Sequence, residues 1–553
     1  MPALLMLDKG FAVQDEGTYV TSYRFWSSNP YFAPGSQYVY GPIFEALDES
    51  IPLLRLLRLL MVVGVNAWFA RCFVAWLERE RSGLLPASRT ALLLLITAAG
   101  GMSYLWAPLT PGYYDLTADC CLALTALFLM TLARAPRQPA WIPVLSGFVG
   151  VTLIVTKLTA FPALVLMVGA ALWCVFRTSR NEGIRYLAYL VVGVVVAVLS
   201  MQLFLIPVGR WVSITTKVSA YTASGDHSFL YLAGQNLASA ASLGLAAAVI
   251  GLPLLVGFLG ARAAARRGGG TTARWCLLGG AGVTVVLPFL LGWHGGSVSG
   301  RAVVGVALAG LVMAALAALV RPPGATAGGL AARLLATVLL LVPLLQAAGT
   351  NVPVLYVAGE CLAMWVALVL SLVTRSGVTP VARTAVLVDL MVLVVATAMI
   401  SGTTTLMSPF KTTSLPHDTV GVSELGVRVA PTTAGEYRAL VTALTPYVVR
   451  GSTPMITLDQ LTGFTYLLGG VPAGSTWTDA ASATRTADIL ELACTNGDVS
   501  RARQPVLILD RAMDPSVIHA MNTCGFDFPQ GYRRLHVPSG PPDIRVYVPR
   551  AAS

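Results

Sequence analysis

Twelve apolar runs follow one another along this chain, at about 55–77, 91–107, 116–133, 142–156, 158–176, 186–207, 236–261, 275–293, 302–320, 334–349, 354–373 and 384–400. An α-helix needs about 20 apolar residues to cross the ~30 Å hydrocarbon core of a bilayer. Only 11% of the residues are charged and 56% are hydrophobic, where soluble domains carry about 25% charged residues. A soluble fold has nowhere to bury so much apolar surface. The chain therefore reads as a polytopic α-helical membrane protein with about 12 spans. The runs on either side of Lys157 read as one bent helix or as two short ones.

Basic residues are unequally shared between the loops. One alternate set carries sixteen: Arg79, Arg81, Arg89, Arg134, Arg137, Arg177, Arg180, Arg185, Arg262, Arg266, Arg267, Arg274, Arg321, Arg333, Arg375 and Arg383. The other set carries only Lys157, Arg210, Lys217 and Arg301. Basic loops stay cytoplasmic, so residues 1–54 and 402–553 are expected outside, on a multi-pass protein of the plasma (inner) membrane. The net charge of +11 lies wholly before residue 402, with 25 basic against 14 acidic residues there and 12 against 12 after it. That pattern suits cytoplasmic arginine beside anionic membrane lipid and does not suggest nucleic acid. Met1–Leu7 is apolar but too short to span. It reads as the tail of a further helix, which would make thirteen.

The apolar pattern stops near 401. From 402 to 553, helical patterns near 433–448, 459–468, 486–494 and 515–523 alternate with β-rich runs near 454–458, 505–509 and 544–548. This alternation predicts a small α/β domain, and about 150 residues can bury a core. Six cysteines lie in apolar segments. Cys494 and Cys524 lie in this polar region and could pair in an oxidising compartment. No Cys/His cluster has zinc spacing. No Walker, HExxH or GxSxG pattern occurs, which argues against a nucleotide-driven pump.

Charged residues near the outer boundary are the candidates for chemistry. The first outer segment contains Gln14-Asp15-Glu16-Gly17-Thr18-Tyr19, then Asn29-Pro30-Tyr31-Phe32 and Tyr40-Gly41-Pro42. The next contains Pro111-Gly112-Tyr113-Tyr114-Asp115. Asp115 suits a helix N-terminus on dipole grounds alone. Asp119, four residues on, shares its helix face, and acids inside spans are usually functional. Lys157 interrupts a long apolar stretch. It either reaches headgroups or binds an anion. Arg210, Lys217, Asp226, His227, His294 and Arg301 lie in later outer loops, and His294 and Arg301 sit in a Gly-rich one that can approach a ligand. Glu360 and Asp389 fall within spans and could pair with polar neighbours or mark an ion path.

The acidic pair in the first outer loop, a Pro-Tyr element, a Gly-Pro element and a second acid in the next outer loop resemble the GT-C class of integral-membrane glycosyltransferases. The 13-helix protein O-mannosyltransferases and lipid A aminoarabinose transferases fit best. The motif resemblance covers roughly residues 10–180. It implies transfer of a sugar from a polyprenyl-phosphate carrier to a cell-envelope acceptor (glycan, lipid or protein), with inversion. It implies Asp15 as base with Glu16 in support, and Lys157, His294 and Arg301 on the donor phosphate. A divalent metal (Mg, Mn or Ca) on Asp15 and Asp115 is a further expectation. The C-terminal domain would roof the site and help choose the acceptor. Both acids would sit in exposed loops. The rivals are a transporter or flippase of envelope intermediates, which does not predict a large outer domain, and a non-catalytic envelope scaffold.

Overall fold

The structure is a computed structural model that describes residues 2–32, 34–80, 86–104, 108–134, 137–222, 229–294, 297–298, 330–350, 352–375, 419–459, 461–478, 483–499, 503–541 and 544–550. The chain is a polytopic helical protein carrying a C-terminal α/β domain. Ahead of the first span lie a single turn, α1 (Pro2–Leu5), and two helices, α2 (Asp15–Arg24) and α3 (Gln37–Ala46). The sequence suggested an exposed loop here. Instead Val20, Tyr23, Tyr40 and Phe44 are fully buried, and the segment forms a folded layer. Asp15 and Glu16 occupy the first turn of α2, where their charge complements the helix dipole.

The apolar runs follow as α4 (Ile51–Glu80), α5 (Pro86–Ala99), α6 (Tyr113–Arg134), α7 (Trp141–Thr156), α8 (Phe161–Thr178) and α9 (Arg180–Ser200). After α10 (Val208–Thr222) come α11 (Phe229–Arg266) and α12 (Gly270–Gly292), the paired two-residue strands β1 (Trp293–His294) and β2 (Ser297–Val298), α13 (Leu330–Ala347), α14 (Val354–Ala358) and α15 (Leu362–Arg375). The expected runs at 302–320 and 384–400 lie outside the described residues. Six of the described helical segments are long and apolar enough to cross a membrane.

Local signals explain the breaks. Lys157 is extended (φ −152°, ψ 99°), a 3₁₀ turn follows at Leu158–Ala160, and Pro162 sits in the first turn of α8. The apolar stretch around Lys157 is thus two short helices. Ser179 caps α9 by accepting the Glu182 N–H at 3.4 Å, an S-x-x-E start. Helices α7 and α9 cross at Gly147 and Gly193, and a methyl on Gly193 would overlap the Val144 carbonyl. Small residues allow such close crossings of membrane helices.

The C-terminal region opens with a hairpin of β3 (Val420–Val422) and β4 (Val427–Val429), then α16 (Pro431–Leu444), β5 (Pro454–Thr457), α17 (Thr462–Leu468), β6 (Val471–Pro472), α18 (Ala483–Thr495), β7 (Val506–Leu509), α19 (Pro515–Thr523), β8 (Tyr532–Leu535) and β9 (Arg545–Pro549). The main sheet runs β6-β5-β7-β9-β8, parallel across the first three strands and antiparallel beyond. Strands β5 and β7 are buried at every residue, as expected of parallel strands covered on both faces. Cys494 and Cys524 form a disulfide.

This domain is docked onto the first layer. Gly463 N–H donates to the Val13 carbonyl at 2.9 Å, Arg428 N–H to Asp8 at 2.7 Å and Gly10 N–H back to Arg428 at 2.8 Å. One continuous apolar core runs from α4 and α6 through α2 and α3 into α17 and β5.

Candidate functional site

Two arginines on α4 organise the end of the helical region that meets the C-terminal domain. Arg55 and Arg58 lie three residues apart, on one helix face, and both are almost completely buried. Arg55 grips Glu16 at two points, Nε to Oε1 and Nη2 to Oε2, each at 2.9 Å. It also donates to the carbonyls of Leu7, Lys9 and Gly10. Glu16 further accepts the Ala12 N–H at 3.1 Å and the Thr110 hydroxyl. Arg58 pairs with Asp115 at 2.7 Å and donates to the carbonyls of Ser103 and Pro108, with its guanidinium over the Tyr104 ring. The second oxygen of Asp115 accepts the Gly112 N–H at 2.8 Å.

The two outer acids therefore differ from the sequence expectation. Asp115 is 2% exposed and belongs to a buried ion pair, not an exposed loop. Each Glu16 oxygen already holds partners. Arg55 and Arg58 were passed over in sequence because they lie at the edge of an apolar run. The legible signal was their i, i+3 spacing at the start of a long apolar helix, since a buried charge requires a partner.

Asp15 has a different setting. It is exposed at the start of α2, and partial desolvation by nearby protein groups raises its carboxyl pKa above the ordinary value. Tyr19 stands one turn further along α2. Burial, then the charge of Asp15, pushes its hydroxyl well above the usual range. Its ring meets Tyr113 edge-on at 6.5 Å, and Tyr113 packs against Tyr114 at 3.9 Å.

Lys157 is 7% exposed at the break between α7 and α8. Its Nζ donates to the Gln346 carbonyl at 2.6 Å and lies 5.7 Å from the centre of the Tyr114 ring. It lines a cavity of about 130 Å³ together with Tyr113, Thr159, Trp211, Thr350 and Trp477. A second cavity of about 580 Å³, almost wholly apolar, runs between α7, α8 and α9 along Gly150, Leu164, Gly169 and Val194. The two share Ile154, Val155 and Trp211. An apolar groove between helices thus lies beside the cavity of a lysine. Asp15 does not line the lysine cavity, and Tyr19 and Tyr113 form the aromatic connection between them.

The remaining candidates are scattered. Arg210 pairs with Asp498 of the C-terminal domain at 2.7 Å, and Lys217 is exposed on α10. His294 lies on β1. Asp226, His227, Arg301 and Asp389 lie outside the described residues. Asp119 is buried with one oxygen lacking a hydrogen-bond partner, and Glu360 is buried with both oxygens lacking one. Asp115, Arg58, Lys157 and Asp119 are the charged groups within electrostatic reach of Glu360. Among the described residues no three His, Cys, Asp or Glu side chains gather as metal ligands. Asp115 already has Arg58 as its counter-charge, so the Asp15–Asp115 pair does not fit a divalent cation.

No protein-family model matches the chain, and no curated protein matches it. Among solved structures, the chain is similar to the crystal structure of ArnT from Cupriavidus metallidurans bound to undecaprenyl phosphate. The alignment covers 100% of this chain and 96% of that one, at 16% identity and a TM-score of 0.39, values too low to bear on function.

Proposed function

We propose that this chain is a membrane glycosyltransferase of the GT-C type, taking a sugar from a polyprenyl-phosphate carrier to a cell-envelope acceptor. The observation that carries this reading is the apolar groove between α7, α8 and α9, which shares the wall residues Ile154, Val155 and Trp211 with the cavity that Lys157 lines. An isoprenoid tail suits the groove, and a phosphate suits the lysine. A buried ammonium held by a single carbonyl has two further donors for an anion. Arg55 and Arg58 are saturated by their own partners and are assigned to holding the outer layer in place. Glu16 and Asp115 take the same positioning role.

In this reading Asp15 removes the proton from the acceptor hydroxyl as its oxygen attacks the anomeric carbon. The bond from that carbon to the phosphate oxygen breaks, and the electron pair leaves on the lipid phosphate. Lys157 stabilises the charge that develops there. A single displacement inverts the anomeric configuration. The outer side of the membrane is the expected location, from the arginine bias of the loops. A flippase is the second reading, favoured by the unpartnered Glu360 within the helical region.

The test is transfer from labelled polyprenyl-phosphate sugars by purified protein. Asp15→Asn should remove transfer while leaving lipid-phosphate binding intact, and Lys157→Ala should weaken that binding. Full transfer by Asp15→Asn overturns the base assignment. Lipid translocation without transfer favours the flippase.

A further inference from the structure

We propose that Trp477 is a platform for the sugar that is transferred, so that the C-terminal domain takes part in donor selection. This rests on the reading of Lys157 as the phosphate site. A sugar joined directly to a phosphate on Lys157 must lie in the same small cavity, and Trp477 lines it. The sequence had suggested a role for this domain on the acceptor side.

The loop bearing Trp477 is held on both flanks. Asn29 donates to the carbonyls of Pro472 and Gly474, at 3.2 and 2.8 Å. The Thr476 carbonyl accepts the Thr462 hydroxyl at 2.6 Å, and the Thr476 and Ser22 hydroxyls are 2.6 Å apart. Thr478 donates to the Thr457 carbonyl at 2.7 Å, and Ser475 bonds the Trp477 backbone itself. The Arg485 guanidinium, 96% buried, lies 4.9 Å from the centre of the indole. The ring is therefore fixed before any ligand arrives, which lowers the ordering cost of binding. A pinned aromatic wall suits the C–H face of a sugar ring.

The other walls suit sugar hydroxyls. Thr159 and Thr350 both line the cavity while donating to backbone carbonyls, at 2.9 and 3.0 Å. A hydroxyl whose proton is so engaged still accepts through its lone pairs. An indole, accepting hydroxyls and an ammonium in one cavity match a sugar phosphate better than a bare phosphate.

The experiment compares binding of undecaprenyl phosphate with binding of its mannosyl and arabinosyl esters, by displacement of radiolabelled undecaprenyl phosphate from the full-length protein. Wild type should bind at least one ester about 5- to 10-fold more tightly than the bare phosphate, the size of one aromatic contact. Trp477→Ala should abolish that preference and leave the bare-phosphate affinity within about two-fold, and Trp477→Phe should keep most of it. A preference that survives in Trp477→Ala overturns the platform alone. So does a wild type without preference, or an equal loss for all three lipids in folded Trp477→Ala. Unchanged binding of all three lipids by Lys157→Ala overturns the phosphate reading, and this proposal with it.

Discussion

Gly17 of the outer layer and Gly463 of the C-terminal domain meet backbone to backbone. A methyl on Gly17 would overlap the Gly463 Cα and N, and one on Gly463 would lie 2.7 Å from the Val13 Cα and carbonyl oxygen. The glycine that follows Asp15 and Glu16 is thus required by packing. Gly17→Ala should separate α2 from α17 and lower stability by about 1–3 kcal/mol, the usual cost of overpacking. Thermal melting and limited proteolysis between 419 and 478 provide the check, and wild-type behaviour in both would rule out this docking.

The buried ion pairs make a second prediction. Asp115→Asn leaves Arg58 charged and buried, at a cost of about 3–5 kcal/mol. The double variant Arg58→Met/Asp115→Leu should recover part of that loss, because it removes both charges together. The recovery should be incomplete, since the Ser103 and Pro108 carbonyls lose their donor. A melting temperature for Asp115→Asn equal to that of wild type would show that the pair does not form. Glu16→Gln should follow the same course through Arg55.

Asp15 should behave in the opposite way. Its carboxyl pKa is raised by desolvation, so ionising it opposes folding. The penalty is absent below the ordinary pKa of ~3.9 and complete above the raised one. Asp15→Asn should therefore leave stability at neutral pH unchanged or slightly increased. Transfer should fall by about 10²–10⁴-fold in this variant. In wild type, transfer should decline as pH falls through a value above that of a free aspartate. A variant that melts well below wild type would contradict the assignment of Asp15 as functional and not structural.

The groove offers a test that leaves every polar residue in place. Gly169 lines it, and a side chain there would meet open space. Gly169→Trp should fill the groove without disturbing the helix, and so weaken binding of a long polyprenyl phosphate far more than that of a short prenyl phosphate. Equal effects on both would place the tail elsewhere.

The Cys494–Cys524 bridge closes a loop across 30 residues. On the chain-entropy account such a loop contributes about 3–4 kcal/mol. Non-reduced, alkylated protein should show this linked pair by mass spectrometry, and Cys494→Ala should lower the melting temperature of the C-terminal domain. Two alkylated thiols at these positions would show that the bond is not made in the cell.

The apolar runs among the described residues were legible as helices, six of them long and apolar enough to cross a membrane, because span length and apolarity are local properties, fixed by bilayer thickness and by backbone hydrogen bonding. The α/β character of the C-terminal region was legible for a similar reason: buried strands such as 454–457 and 506–509 write themselves as short apolar runs. Asp15, Lys157 and Asp115 stood out because charge near apolar sequence is costly. Their roles were not legible. Asp115 and Glu16 resemble Asp15 in sequence, and only the fold shows that Arg58 and Arg55 occupy them while Asp15 keeps its solvent contact. Trp477 reaches the lysine cavity from more than 300 positions away, and Gly17 meets Gly463 across a similar gap. Sequence therefore determined which segments are apolar helices and which polar groups needed partners. Tertiary structure decided who those partners are, because charge pairing and close packing depend on distance in space, and long-range contacts leave no periodic trace along a chain.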